Sequence, residues 1–283
     1  MNPIPWHRTL GVLRSLVIYW RPGRQRGLRR LYRPFLQEPA LVFDVGAHLG
    51  DRTRAFASLG ARVVALEPQP HLFRWLQRLV GSRAGVILRP EGVGRHAGEA
   101  TLAVSPRTPT VSTLSRHWQT DLGRSNPSFG TVTWEESVRI PMVTLDQLIA
   151  EYGLPDFCKI DVEGFEAEVL AGLSQPVPAL SLEFVAGALE IAKDAVRRLA
   201  ALGPYEYNAI RGERRQYLFA RWLPAEALLQ WLEQGADALP SGDIYARLPG
   251  SRGSRAHLPG RPQPKAERQH VSTVPPSARG LQP

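Results

Sequence analysis

Cysteine is nearly absent from this 283-residue chain; Cys158 stands alone. A single thiol can form no internal disulfide and no cysteine-based zinc site. Such usage fits a reducing compartment, so the cytoplasm is the expected location. Long hydrophobic runs are missing too. No stretch reaches the roughly 18 apolar residues of a membrane span. The N-terminal run Leu16–Trp20 is short and meets Arg21-Pro22 instead of a small-residue cleavage site, which argues against a signal peptide. The histidines at 7, 48, 71, 96, 117, 257 and 270 show no metal-ligand spacing. Neither a GxSxG elbow nor a P-loop occurs. No metal ligand is therefore named from sequence, and a divalent metal is compatible with the chain without being indicated by it.

The charge that is present is unevenly placed. The net charge is +9, yet residues 1–38 carry eight Arg and one Glu, and residues 250–283 carry five Arg, one Lys and one Glu. The stretch between them is mildly acidic. A groove for a polyanion would put the positive charge on the domain itself, so nucleic acid is not the expected partner. Basic ends suit peripheral contact with an anionic surface such as the inner face of a membrane. Leu10, Leu13, Leu16, Val17 and Trp20 repeat at helical spacing. That predicts a helix packed on the core, with a membrane-surface helix as the alternative. The expected organisation is a basic N-terminal extension (1–38), one domain (39–249) and a Pro/Gly/Ser/Arg tail (250–283) too poor in apolar residues to fold.

Within 39–249, apolar runs alternate with helical patterns. Strands are expected at 41–45, 62–66, 85–88, 157–161 and 179–184, and helices at 51–59, 70–80, 144–152, 164–172, 187–201 and 224–235. Near-continuous apolar strands alternating with helices predict an α/β fold, a mostly parallel twisted sheet with helices on both faces. Segments 205–210 and 215–222 lie too close for a helical crossover and read as an antiparallel edge pair. The segment 95–140 breaks the rhythm. It holds β-like stretches at 99–104 and 136–143 joined by a long connection, a pattern that suits a lid or a plain surface insertion.

Three motifs carry chemistry. In LVFDVGAHLG (41–50) a buried strand runs into Asp44 and then the turn Gly46-Ala47-His48-Leu49-Gly50. Gly46 permits a sharp turn and a close approach, and Gly50 permits close packing at the next helix start. A carboxylate two residues before the first glycine does nothing for a pyrophosphate but suits a positively charged amino group. In RVVALEPQP (62–70), Glu67 ends the next strand 21 residues after Gly46, where an acid accepts hydrogen bonds from ribose hydroxyls. In DFCKIDVEGFEAEVLAGL (156–173), Lys159, Asp161 and Glu163 share one side of a strand. A buried lysine needs an acidic partner, and Asp161 and Glu183 are in reach. Asp161 stands at the carboxyl end of its strand, where open α/β sheets bind ligands.

Together, VFDVGAHLG, VVALEPQP, VTLDQL (143–148) and KIDVEGFEAEVLAG resemble the FkbM family of class I S-adenosylmethionine-dependent methyltransferases. The resemblance implies a Rossmann-like sheet whose first strand neighbours the second and fourth, with S-adenosylmethionine across that switch point. It implies that Asp44, Gly46 and Gly50 line the methionine part, with Ala47 and His48 in the same turn. Glu67 and the adjoining Pro68 would hold the ribose, and Glu91 and Gly92 would flank the adenine. His48 departs from the family, which commonly has Asn there; both side chains offer an N–H. The implied reaction is O-methylation of a hydroxyl on a sugar, glycan or natural-product acceptor. Its candidate bases are Asp161, then Glu163 and His117. The competing readings are an NAD-dependent oxidoreductase, opposed by Asp44 and a missing third glycine, and a non-catalytic module that keeps the fold.

Overall fold

A computed structural model describes residues 6–105, 112–115, 118 and 132–250. The candidate base His117 and the tail 251–283 lie outside the described residues.

The main sheet has seven strands: β1 (Leu41–Val45), β2 (Arg62–Leu66), β3 (Val86–Arg89), β7 (Phe157–Ile160), β8 (Ala179–Val185), β9 (Glu206–Arg211) and β10 (Ser241–Arg247). Their spatial order is β3-β2-β1-β7-β8-β10-β9. β1 pairs in parallel with β2 on one side and β7 on the other, which puts the switch point at its carboxyl end. Only β10 runs against its neighbours. This is the class I methyltransferase arrangement that the resemblance implies. Both faces of the sheet are covered, which is why the strands read as continuous apolar runs. On β1, Phe43 and Val45 enter one core with α5 (Leu145–Tyr152), α6 (Glu166–Ala171), α7 (Leu189–Leu202) and α8 (Ala225–Glu233). Val42 enters the other with α2 (Arg24–Tyr32), α3 (Asp51–Ala57) and α4 (Pro70–Val80). Local sequence sets several ends. Pro70 occupies the first turn of α4, whose buried face is Leu72, Leu76 and Val80. Thr144 and Gln147 cap α5 reciprocally.

A second sheet holds β4 (Gly92–Val93), β5 (Gly98–Val104) and β6 (Glu136–Val143), with β5 antiparallel to β6. The third main strand, expected at 85–88, runs 86–89. It stops at Arg89 because Pro90 has no N–H to continue the ladder, and the chain re-pairs in the smaller sheet.

The edge pairing also differs from the expectation. Residues 215–222 form no strand; Tyr217 and Leu223 make isolated bridges to β9. The antiparallel partner of β9 is β10, inserted between β8 and β9. Its SGDIYAR sequence starts like a turn. Gly242 is what admits the strand, since a Cβ there would overlap the Ile210 carbonyl oxygen.

The N-terminal arm packs on the sheet. Leu28, Leu31 and Tyr32 of α2, with Phe35 and Leu36 after it, share a core with Val42, Phe56 and Phe157. Each such side chain contributes about 1.5–3 kcal/mol. α1 (Trp6–Tyr19) packs through Leu16 of the predicted face, with Trp20 after it, but is turned so that Val12 leads and Leu13 and Val17 face out. Val12 is buried against Leu49 and Leu72 with Leu16 beside them, while Leu13 and Val17 are 49% and 74% exposed. The rotation is fixed at the helix end: Trp20 Nε1 donates to the Leu49 carbonyl at 3.3 Å, and Tyr19 sets its ring edge-on to His48. No helix among the described residues is long and apolar enough to cross a membrane.

Candidate active site

A cleft of about 880 Å³, counting its open mouth, lies at the carboxyl ends of β1, β2 and β7. The Gly turn forms its floor. The Gly46 and Ala47 N–H groups both donate to the Leu66 carbonyl, so the turn is tied to the end of β2. Gly46 has φ +79°, and its Cα lies against the Asp161 carbonyl. Its missing side chain therefore permits this close packing, and the residue also lines the cleft. Gly50 is also a packing residue. It does not line the cleft; a Cβ there would press on Leu76 and Val80 of α4.

Asp44 is buried in the cleft wall. Its Oδ2 accepts from the Thr53 hydroxyl at 2.6 Å, while Oδ1 is buried with no partner among the described residues. Burial raises its pKa against the pull of Lys159 and Thr53. A buried acceptor without a donor is costly unless a ligand supplies one. Glu67 sits opposite. Its Oε2 accepts from the His48 backbone N–H and its Oε1 from that of Gln69, each at 2.9 Å. Each oxygen keeps a second lone pair for a ligand hydroxyl. His48 holds the turn through that N–H with φ +50°. Its ring, lowered to about 4 by burial, stays neutral near pH 7 and leaves Nε2 unpartnered. Pro68 and Gly92 line the cleft as expected. So does Glu91, but its carboxylate is turned to Arg89 at 2.7 Å, a pairing the sequence reading missed.

Burial pushes the Glu67 carboxyl up to about 7, against those two backbone hydrogen bonds. A carboxyl harder to ionise when folded than when unfolded adds stability below its unfolded pKa of 4.5 and loses it as pH rises to about 7. This group should therefore cost the ligand-free protein about 2–4 kcal/mol across that window. Glu67→Gln should flatten the slope; any hydrogen bond it loses shifts both ends equally. Denaturant unfolding at steps from about pH 4.5 to about pH 7 reads the difference, and identical slopes in the two proteins would reject it.

A second acidic group follows β7. Lys159, only 1% exposed, sets Nζ 2.6 Å from Asp161 Oδ2. Burial opposes ionisation of Asp161, but Lys159 and Arg52 outweigh it and hold the carboxyl below its usual range. Paired in this way, Asp161 holds its proton less readily than an ordinary carboxyl. Glu163 lines the same cleft with a left-handed backbone (φ +54°). Burial, then the charges of Asp161 and Glu166, push its carboxyl well above the ordinary range. Glu183 of β8 joins them: one oxygen from each of Asp161, Glu163 and Glu183 falls within 4.8 Å of the others. The sequence reading put Glu183 in reach of Lys159; the structure sets it beside Asp161 and Glu163. The three oxygens could hold a cation, with Lys159 already on one of the carboxylates.

The wall residues that sequence reasoning missed include Tyr19, Arg52, Gln69 and Ser112. The Ser112 hydroxyl donates to Gln69 Oε1 at 3.1 Å, and the Thr113 hydroxyl donates to the Glu163 carbonyl at 2.6 Å. The described part of the long connection therefore closes on the cleft. Arg52 reaches the cleft from the first turn of α3, just after the Gly turn, whereas Tyr19 reaches it through the docking of α1 on Leu49 and Leu72.

The family model described as Methyltransferase FkbM domain matches residues 44–186. The hexuronic acid methyltransferase AglP of Haloferax volcanii is 26% identical over 179 residues, covering 61% of this chain and 67% of that protein. Among solved structures, a TehB-like SAM-dependent methyltransferase from Corynebacterium glutamicum aligns with 87% of this chain and all (100%) of its own, at 13% identity and a TM-score of 0.45. One described as a putative O-methyltransferase from Klebsiella pneumoniae aligns over 88% and 92%, at 12% identity and a TM-score of 0.42.

Proposed function

Because the chain belongs to the FkbM family of methyltransferases, we propose that it moves the methyl group of S-adenosylmethionine to a hydroxyl of a sugar-type acceptor. The observation that carries the reading is the buried, unpartnered Oδ1 of Asp44 beside the Gly46 turn. A carboxylate there fits the ammonium of the cofactor's methionine, and Glu67 fits its ribose hydroxyls. The similarity to a hexuronic acid methyltransferase supports a sugar acid as acceptor.

The bound cofactor brings an activated methyl on a sulfonium. This chain's residues must hold the acceptor oxygen in line with that carbon, and alignment alone can supply a large share of the rate. We assign proton removal from the acceptor to Glu163. It lines the cleft, and its raised pKa makes it a better base than the Lys159-bound Asp161. Asp161 then fixes Lys159 and adds negative charge that suits a cationic ligand.

Calorimetry tests the cofactor: S-adenosylmethionine should bind and NAD should not. Incubation with neutral sugars and uronic acids, read by mass spectrometry for the addition of one methyl, tests the acceptor. Glu163→Gln should lower turnover by about 10²–10⁴-fold while leaving cofactor affinity within about twofold. Only the ionised carboxyl accepts a proton, so wild-type turnover should climb as pH rises through the elevated pKa of Glu163. The Gln variant should lose that rising limb. Equal loss of affinity and rate would instead make Glu163 a cofactor ligand.

A further inference from the structure

Arg52 has no role in the reading above, yet it is the only Arg or Lys lining the cleft among the described residues. The acids Asp44, Asp51, Glu67, Glu91, Asp161 and Glu163 line the same cleft. Its side chain is 14% exposed. A guanidinium so far from water needs partners for its donors, and the partners at hand are largely taken. Arg24, reaching in from α2, holds Asp51 at 2.7 Å and Glu213 at 2.9 Å. Arg52 has only longer contacts to the same two groups, 3.6 Å to Asp51 Oδ1 and 3.4 Å to Glu213 Oε1. Its Nε is buried with no acceptor. The four charges of this group cancel, and among the described residues Arg52 makes one long hydrogen bond, from Nη2 to Glu213 Oε1 at 3.4 Å, which leaves most of its donors without an acceptor.

The geometry points to a carboxylate as the missing partner. A guanidinium fork matches the two oxygens of a carboxylate, and such charge-assisted pairs are among the stronger hydrogen bonds. Elsewhere in the cleft an anion would meet the acidic walls. Tyr19 closes this side: its ring stands edge-on to His48 at 5.6 Å and lies under the Arg24 guanidinium at 4.8 Å. The N-terminal arm thus supplies a wall of the anion subsite and, through Arg24, frees Arg52 for a ligand.

A carboxylate can come from the α-carboxylate of the cofactor's methionine or from a sugar-acid acceptor. The inference rests on the methyl-transfer reading, and the experiment separates the two. Calorimetry compares S-adenosylmethionine with its decarboxylated analogue, which keeps the ammonium and the sulfonium. A second series titrates glucuronate and glucose into protein saturated with S-adenosylhomocysteine. Both use wild type, Arg52→Gln and Arg52→Lys, each first checked for an unchanged melting transition. If Arg52 holds the cofactor, wild type should prefer S-adenosylmethionine at least tenfold over the analogue. Arg52→Gln should erase that preference, and Arg52→Lys should restore part of it. If Arg52 holds the acceptor, cofactor binding should not change, and the preference for glucuronate over glucose should fall at least tenfold in Arg52→Gln. Should Arg52→Gln unfold, Arg52→Lys carries the test: a point charge in place of the fork should still lower the preference severalfold. Normal wild-type cofactor binding with neither preference altered overturns the subsite alone. No cofactor binding by wild type overturns the methyl-transfer reading and this inference with it.

Discussion

Gly46→Ala should abolish S-adenosylmethionine binding and destabilise the chain by about 4 kcal/mol or more. Two costs add. The residue sits at φ +79°, where an L side chain is strained by about 1–2 kcal/mol. A Cβ there would also overlap the backbone carbonyl oxygen of Asp161. That oxygen cannot swing away cheaply, because the Asp161 N–H is bonded to the Val45 carbonyl at 3.0 Å and the turn itself is tied to Leu66. The switch point between β1 and β7 must open, and Asp44 must move with it. Gly23→Ala is the control: φ is +83°, but nothing lies within 4 Å of the added carbon, so only the backbone strain of about 1–2 kcal/mol should appear. Denaturant unfolding and calorimetry on both variants check this. Similar losses in the two would refute the role given to the Asp161 carbonyl.

The next largest effect is expected at Lys159. Its replacement by methionine keeps the buried stem but leaves Asp161 unpaired beside Glu163 and Glu183. Breaking a buried pair by removing one partner typically costs about 3–5 kcal/mol. Removing both charges, in Lys159→Met with Asp161→Asn, should recover a good part of that. The pH dependence has a definite sign. In wild type the carboxyl of Asp161 is held low, so its stabilising share is present above its unfolded pKa and lost as pH falls through the folded value. In the single variant that carboxyl protonates readily. The stability gap between the two proteins should therefore narrow as the solution is acidified. A gap that does not change with pH would assign the loss to packing instead of charge.

The arm also bears on how this site differs from a bare sheet-and-helix frame. Tyr19, Arg24 and Arg52 form one unit with Asp51 and Glu213, drawn from both ends of the described chain. A substitution in α2 can thus reach the cleft without touching it.

The ends of β1 and β2 and both ends of α4 coincide with those predicted from the sequence. Apolar runs, Pro70 and the Thr144–Gln147 cap are local signals, and the chain obeys them because neighbouring residues decide strand and helix ends. Asp44, the Gly46 turn, Glu67 and Asp161 were likewise legible, since each stands at a fixed offset from a strand end. The third strand runs one residue beyond its expected 85–88, to Arg89, where Pro90 stops it. What spacing could not supply were the contacts between distant segments. β10 becomes a strand only between β8 and β9. Glu183 meets Glu163 only across paired strands. Tyr19 enters the cleft only through the way α1 docks. The sequence by itself determined the order of elements and the floor of the site, because backbone preference and side-chain period act within a few residues. Tertiary structure decided the walls, the charge states and the spare donors of Arg52, because burial and Coulomb interaction depend on which remote groups share the same few ångströms.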